Sequence, residues 1–296
     1  MELRQLRYFV AVAEELHFGI AAKKLNMTQP PLSHSIKLLE EEIGVKLLER
    51  GRRKPLTLTP SGQALLTSAK ELLRASERAK AETQMVAKGE LGSLKIAHTD
   101  DYLSSAIPEM IFNFAQSNSK VSVQVVQGRS FSIAQQLMRK DLDLIFTIKP
   151  IPAILAECGL IDLPATPIVL VVSEKNPLSR KKSITLKEAM KEHHLYNPST
   201  NVSSYDTKLQ ELLVRSGTVM QTRIKSFFPS MALEFAKEDK GVFFASKGAL
   251  PRNPSGLRLL PIDAEGAEIE LAMVWKKDNS NPVLNNFLEM VAEHDF

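Results

Sequence analysis

LNMTQPPLSHSI, residues 25–36, decides how the first third of this chain folds. Leu32 and Ile36 stand at helical spacing, and Leu39 extends the same stripe. Pro30 and Pro31 stand directly before them, although proline is the poorest residue for a helix interior. The conflict disappears if the helix begins here. The first N–H groups of a helix have no intrahelical partner, so proline there gives up nothing and presets φ. With Thr28 as N-cap, Pro30 and Pro31 fill the second and third helical positions, whose N–H groups such a cap normally binds. The Thr28 hydroxyl is then left for another partner. Gln29 stands at the tip, with an amide that can pair at two points with an adenine edge, and the two rings beside it can pack on a thymine methyl. Ser33, His34 and Lys37 share the face opposite Leu32, Ile36 and Leu39. An ordinary proline-started helix is the plain alternative, and the sequence on either side weighs against it.

Upstream, Leu3, Leu6, Phe9, Val10 and Ala13 predict a helix over residues 3–15. A second, shorter helix is expected from about Ile20 to Leu25, with Gly19 as its cap and small Ala21 and Ala22 allowing another helix close. Asn26 and Met27 make the turn into the quoted stretch. Two helices joined in this way form a helix-turn-helix, whose second helix enters the DNA major groove. Downstream comes GVKLLERGRRKPLTLTPSG, residues 44–62. Its alternating apolar residues flank Arg50, Arg52, Arg53 and Lys54, as in a two-stranded wing with a basic tip. Arg50, Arg52 and Arg53 would hold phosphates or a narrow minor groove. A bare charge run could be a solvated loop, but its place after a helix-turn-helix favours a wing.

Charge follows the same division. Residues 1–88 carry 15 basic and 10 acidic side chains, and residues 89–296 carry 23 and 24. The whole net charge of +4 therefore arises from the first third, as expected for a nucleic-acid-binding end joined to a neutral domain. The apolar run Ile168–Val172 is far too short to span a bilayer, and the first residues are expected to form structure rather than a signal segment. A single cysteine, Cys158, excludes an internal disulfide. A soluble cytoplasmic protein is expected, with Cys158 a small packed hydrophobe.

The stretch LRQLRYFVAVAEELHFGIAAKKLNMTQPPLSHSIKLLEEEIGVKLLERGRRKPLTLTPSG resembles the DNA-binding domain of LysR-type transcriptional regulators. The match includes Ala21-Ala22, Gln29-Pro30, Leu39-Glu40, Gly44, Leu47, Arg50 and the ending Leu58-Thr59-x-Ser61-Gly62. Within that family the Gln29-Pro30-Pro31 run is most like regulators of aromatic-compound degradation. His34 stands where arginine is common in such regulators, and it makes a weaker phosphate or guanine contact at neutral pH.

After Gly62, residues 65–86 hold Leu65, Ala69, Leu72, Ser76, Ala79, Thr83 and Val86 at spacings of three and four. This coiled-coil-like stripe is too narrow for a core helix, and pairing with its own copy would bury it. The resemblance implies a linker helix, dimers, and dimers of dimers. Beyond Gly89–Gly92, apolar runs of strand and helix type alternate. Strands are expected at 94–98, 121–127, 142–148, 167–173, 195–197, 221–225, 242–245 and 269–275. Helices are expected at 106–116, 133–139, 206–216, 231–238 and 282–292. This order argues for α/β units with mostly parallel sheets. The resemblance implies an α/β chain with an all-helical winged helix-turn-helix N-terminal domain, a long linker helix, and a periplasmic-binding-protein-like two-subdomain effector domain. The expected divisions are 1–59, 60–89 and 90–296, the last split into subdomain I (90–161 and 269–296) and subdomain II (162–268).

Ligands of open parallel sheets bind at the carboxyl ends of strands. That rule picks out Thr99, Asp100 and Asp101; Gly128, Arg129 and Ser130; and Pro198, Ser199, Thr200 and Asn201, with Phe227 and Phe243 as walls. Each hydroxyl has helix capping as an alternative role. The two aspartates would repel an anion unless Arg129 or Lys149 offsets them. No cofactor or metal is expected. The resemblance implies a small-molecule effector, aromatic or carboxylic, and as partners promoter DNA, a second copy of the chain and RNA polymerase, with no membrane. An enzyme is the rival class, but His98 with Asp100 and Asp101, or His193-His194, match no catalytic spacing. A ligand-binding protein without DNA is another, and the basic first third argues against it.

Overall fold

The structure is a computed structural model and describes residues 1–51, 54–99, 106–149, 151, 153–195, 204–220, 229–251 and 254–293. The chain forms two compact units, Met1–Met85 and Val86–Phe296. Among the described residues no helix is long and apolar enough to cross a membrane.

The first unit opens with α1 (Leu3–Glu15), α2 (Phe18–Lys24) and α3 (Gln29–Ile43). Its core joins Leu6, Phe9 and Val12 of α1, Ala21 and Ala22 of α2, and Leu32, Ile36 and Leu39 of α3. The stripe read on α3 is its buried face; on α1 Leu6, Phe9 and Ala13 are buried, Val10 is half-buried and Leu3 is exposed. The cap of α2 differs from expectation. His17, not Gly19, is the N-cap, and its Nδ1 accepts from the N–H of Gly19 (3.1 Å) and Ile20 (3.2 Å). An imidazole acceptor does the work usually given to a hydroxyl or carboxylate. Strands β1 (Leu48–Gly51) and β2 (Lys54–Leu58) pair antiparallel as the wing.

The long helix α4 (Pro60–Ala87) follows. Thr59 seats it: its hydroxyl donates to Lys46 O (2.8 Å) and accepts from Gly62 N–H (2.9 Å). A Cβ on Gly62 would lie 2.1 Å from Leu47 O, so only glycine lets the helix start this close to the wing. Ala69 is buried in the unit's core with Leu65, Leu66 and Leu73 packed beside it, whereas Leu72 and Val86 are exposed.

The second unit contains β3 (Gly92–His98), α5 (Ala106–Ser117), β4 (Val121–Gln127), α6 (Ser130–Met138), β5 (Leu144–Ile148), β6 (Gly159–Ser173), α7 (Leu186–Ala189), α8 (Ser204–Arg215), α9 (Pro229–Lys237), β7 (Phe243–Ser246), β8 (Leu257–Pro261), β9 (Glu268–Trp275) and α10 (Pro282–Ala292). The strands run in the order β4-β3-β5-β9-β6-β7, with β8 on the other side of β6. Expectation is corrected in two places. Among the described pairings between these strands only β3–β4 and β3–β5 are parallel; β5–β9, β6–β9, β6–β7 and β6–β8 are antiparallel. Strand β6 leaves the first lobe and β9 returns to it, and a return path reverses direction. Strand β6 also starts at Gly159 rather than near 167, because Asp162, Pro164 and Pro167 interrupt its apolar pattern without ending its pairing to β9. Where a strand was expected at 195–197, His194 bridges Val242, and residues 196 and 197 lie outside the described residues. The strand expected at 221–225 lies outside the described residues.

Packing around the sheet uses aromatic and polar anchors. Phe114 of α5 meets Phe287 of α10 edge to face at 5.1 Å. Asp143 accepts from Lys95 N–H (2.8 Å) and from the amides of Asn279 and Asn281, and Asn281 in turn caps α10. His194 is fully buried and stacks on Phe244 at 5.3 Å. Its Nε2–H donates to Ala189 O (3.1 Å), while Nδ1 has no partner among the described residues. Burial pushes its pKa down to about 4. The unfolded chain therefore takes up this proton first as pH falls, so the contribution is whole above about 6.5 and is lost between 6.5 and 4. That shift corresponds to about 3 kcal/mol. Thermal melts of the second unit are expected to fall over this window, and His194→Gln, which keeps the donor, should flatten the dependence. A melt of the variant with unchanged pH dependence would assign the effect elsewhere.

Candidate nucleic-acid interface and effector site

The tip of α3 carries the first group of candidate residues. Thr28 is the N-cap with φ −86° and ψ 155°, and its hydroxyl makes no capping hydrogen bond among the described residues. This is the outcome expected when Pro30 and Pro31 remove the N–H groups it would bind. Thr28, Gln29, Pro30, Pro31, His34 and Lys37 are exposed, and Ser33 is half-buried. They form one outward face, opposite the fully buried Leu32, Ile36 and Leu39. The Gln29 carboxamide lies against the start of α2, with Oε1 3.6 Å from where a Gly19 Cβ would stand. Lys37 pairs with Glu41 at 3.4 Å; both are exposed, so the pair adds little stability. Arg50 lies on β1, and Arg52 and Arg53 fall outside the described residues.

One residue that fixes this surface was not singled out by its chemistry in the sequence. Glu40 is 4% exposed, and its Oε1 accepts from the N–H groups of Leu47 (2.9 Å) and Leu48 (3.2 Å). Its Oε2 meets Lys46 Nζ at 3.2 Å. Burial works against its ionisation, but the bonds from Leu47, Leu48 and Lys46 outweigh it and hold the carboxyl below the usual range. The signal was present: Glu40 lies four residues after Ile36, a charge on the apolar face. It ties the end of α3 to the entry of the wing.

The second group lies at the strand ends of the other unit. Thr99 follows β3, is 5% exposed, and has an Oγ1 without a partner among the described residues. His98 Nδ1–H donates to Thr99 O (2.9 Å). Gly128 N–H donates to His98 O (2.9 Å), and a Cβ on Gly128 would come 2.6 Å from Ile133 Cγ2. Glycine there lets β4 run straight into α6. Arg129 is the N-cap of α6, exposed and without a side-chain capping bond, and Ser130 is the first helical residue. The fold thus brings Thr99, Gly128, Arg129 and Ser130 together. Asp100, Asp101, Pro198, Ser199, Thr200, Asn201 and Phe227 lie outside the described residues. Phe243 is corrected: it is 1% exposed and packs with Val169, Val171, Leu195, Ala232 and Ala236, so it belongs to the core and walls no cleft. Its strand pairs with the apolar centre of β6, which turns that face inward. Cys158 is half-buried beside Met138, and burial raises its thiol pKa.

Two family models match this chain. Residues 3–63 match the bacterial regulatory helix-turn-helix protein model of the lysR family, and residues 87–295 match the LysR substrate binding domain. The chain belongs to the LysR family of transcriptional regulators. This LysR-type chain is therefore a DNA-binding regulator of transcription with a substrate-binding effector domain. It is 28% identical over 98% of its length to the HTH-type transcriptional regulator AlsR of Bacillus subtilis (strain 168), covering 95% of that protein. It is 30% identical over 97% of its length to the uncharacterized HTH-type transcriptional regulator YnfL of Escherichia coli (strain K12), covering 96% of it. Its fold is similar to full-length CbnR in complex with target DNA, with a TM-score of 0.85 and 22% identity over 99% of each chain.

Removing the Glu40 carboxylate strands two buried N–H groups. Glu40→Ala is expected to destabilise the first unit by about 3 kcal/mol, whereas Glu40→Gln, which keeps one acceptor, costs less. Urea denaturation of both variants is the check, and equal losses would show that charge rather than hydrogen bonding anchors the wing.

Proposed function

We propose that this regulator reads a two-fold promoter site with Thr28, Gln29, Pro30, Pro31, Ser33, His34 and Lys37 in the major groove, while Arg50, Arg52 and Arg53 hold the backbone. The observation that carries this reading is the exposed tip of α3, where two prolines leave a rigid surface poor in its own donors. In this reading the chain divides at 1–59, 60–89 and 90–296, and self-association through α4 sets the spacing of two recognition helices. Exposed Leu72 and Val86 on that helix support the pairing. Dimers of dimers form in the cytoplasm and engage RNA polymerase at the promoter.

Strand ends of the second unit hold the effector. Thr99, Gly128, Arg129 and Ser130 supply one wall, with Asp100 and Asp101 beside them, and Pro198–Asn201 and Phe227 supply the other. The effector is a small aromatic or carboxylic metabolite. The Gln29-Pro30-Pro31 run supports kinship with regulators of aromatic-compound degradation. A ligand shifts a two-state regulator only through unequal affinity for the two states, and a cleft whose walls close on one molecule provides that inequality.

Gln29→Ala is expected to relax base preference at one position per half-site and to cost about 1–3 kcal/mol of specific binding. A footprinting titration with unchanged specificity would remove the assigned role. Leu72→Lys would set like charges across an apolar seam. Sedimentation should show weakened dimers and DNA affinity should fall with it, because one recognition helix contacts half of a two-fold site. A fully dimeric variant of normal affinity would place the contact on another surface.

A further inference from the structure

Helix α10 carries Asn285-Asn286 in its interior. Asparagine is a poor residue there, because its amide competes for backbone groups. Asn286 puts that amide to use: its Nδ2–H donates to Lys88 O at 2.8 Å. Lys88 directly follows α4, where the last carbonyls have no intrahelical donor. Both residues belong to the second unit, Val86–Phe296. Gly89 comes next, is buried, and has φ +69°; a Cβ there would lie 2.6 Å from Pro282 O and 2.8 Å from Asn286 Nδ2. Its N–H donates to Val86 O at 3.0 Å. Gly92 has φ +153°, and a Cβ there would lie 3.1 Å from Val283 Cγ2. Residues 88–92 are thus moulded on the first turn of α10 by contacts that need a left-handed backbone and no side chain.

The far side of this segment is held as well. Asn281, the N-cap of α10, donates from Nδ2 to Ser93 O (2.9 Å) and to Asp143 Oδ1 (3.0 Å). Asp143 also accepts from Lys95 N–H at 2.8 Å. Asn286 before the passage from α4 into β3, and Asn281 after it, therefore bracket it from one helix. Only residues 88–91 separate α4 from β3. Two glycines in so short a link would suit a flexible tether, but a tether is solvated and is not bonded at both ends.

We propose that α10 is the latch of this joint and that Asn286 is the positioning residue that keeps it shut. While latched, the last turn of α4 moves with α10, and α10 moves with the strands that Asn281 and Asp143 hold. Those strands are β3 and β5, followed at their other ends by Thr99 and Lys149. On the reading of these strand ends as the effector cleft, a ligand that shifts β3 or β5 shifts the exit of α4 without touching it. Coupling of this kind needs an element with two arrangements, and a latch held by a single hydrogen bond of modest net worth supplies one.

The test uses the full-length protein and no effector, so it judges the joint separately from the cleft. Asn286→Asp keeps the shape but turns the donor into an acceptor facing Lys88 O. Trypsin cuts after lysine, and the bond after Lys88 is cut only when the segment opens. The variant should be cut there about tenfold faster than wild type, as loss of one hydrogen bond allows. Cleavage after Lys80, earlier on α4, should not change. Asp143→Asn should quicken the same cut after Lys88. In a Cys158→Ser background, nitroxides at Glu82→Cys and Glu289→Cys, diluted with unlabelled chain, report the spread of distances between α4 and α10. With Asn286 present the distribution should be narrow; with Asn286→Asp it should broaden while the melting midpoint stays within about two degrees. A broad distribution with Asn286 intact, or equal cleavage after Lys88 in wild type and Asn286→Asp, overturns the latch. If Asn286→Asp melts several degrees lower and is cut faster throughout the second unit, Asn286 is a general stabiliser and the proposal falls. If Asn286→Asp opens the bond and Asp143→Asn does not, the link from α10 to β5 is overturned.

Discussion

The ladder between β6 and β9 is the constraint on which the regulatory unit depends. Nine residues of β6, from Gly159 to Pro167, lie along β9, and the remainder of the same strand, Ile168 to Ser173, carries β7 and β8. One strand thus belongs to both groups of elements, and β9 brings the chain back beside it. The register shifts between Leu163 and Thr166, where a local irregularity separates the two stretches of pairing. Thr166 is kept at that point by accepting from Gly248 N–H at 2.9 Å. Everything placed at the strand ends, including Thr99, takes its position from strands that this ladder aligns.

How much of this was legible in the amino-acid order depended on the kind of signal. Apolar periodicity exposes whole elements. Residues 121–127 and 282–292 read as a strand and a helix with the limits they have in the structure, and the buried face of α3 follows its stripe. Strand direction leaves no local trace, so an alternating order of elements suggested parallel pairing where β6 and β9 run back. Strand β8 went unread because Leu257–Pro261 is short and ends in proline. Phe243 shows the opposite limit. Its place at the start of a strand suggested a cleft wall, but whether a strand is covered on both faces depends on partners distant in sequence, here α9 and the centre of β6.

The candidate surfaces divide in the same way. Local stereochemistry foretold the tip of α3, because proline dictates where a helix can begin wherever the rest of the chain goes. Glu40, His17 and Asn286 were not foretold. Each is defined by a partner in another element: Glu40 by the wing's N–H groups, His17 by the first turn of α2, and Asn286 by the carbonyl that follows α4. Polar side chains that bind across a fold carry no periodic signature. Only a charge on an apolar face, as at Glu40, hints at such a bond.

The paired prolines at the mouth of α3 also bear on how the protein searches DNA. A helix start is ordinarily a ready anion site, since its free N–H groups and dipole attract phosphate. Pro30 and Pro31 delete two of those donors while leaving Thr28 and Gln29 with theirs. Phosphates line the duplex at every step, and contacts with them carry no sequence information. A recognition helix with a full set of N–H groups at its tip could be held by any of them. With half the set removed, the tip has less to gain from an arbitrary phosphate, and a larger share of its binding energy must come from the edges of the bases.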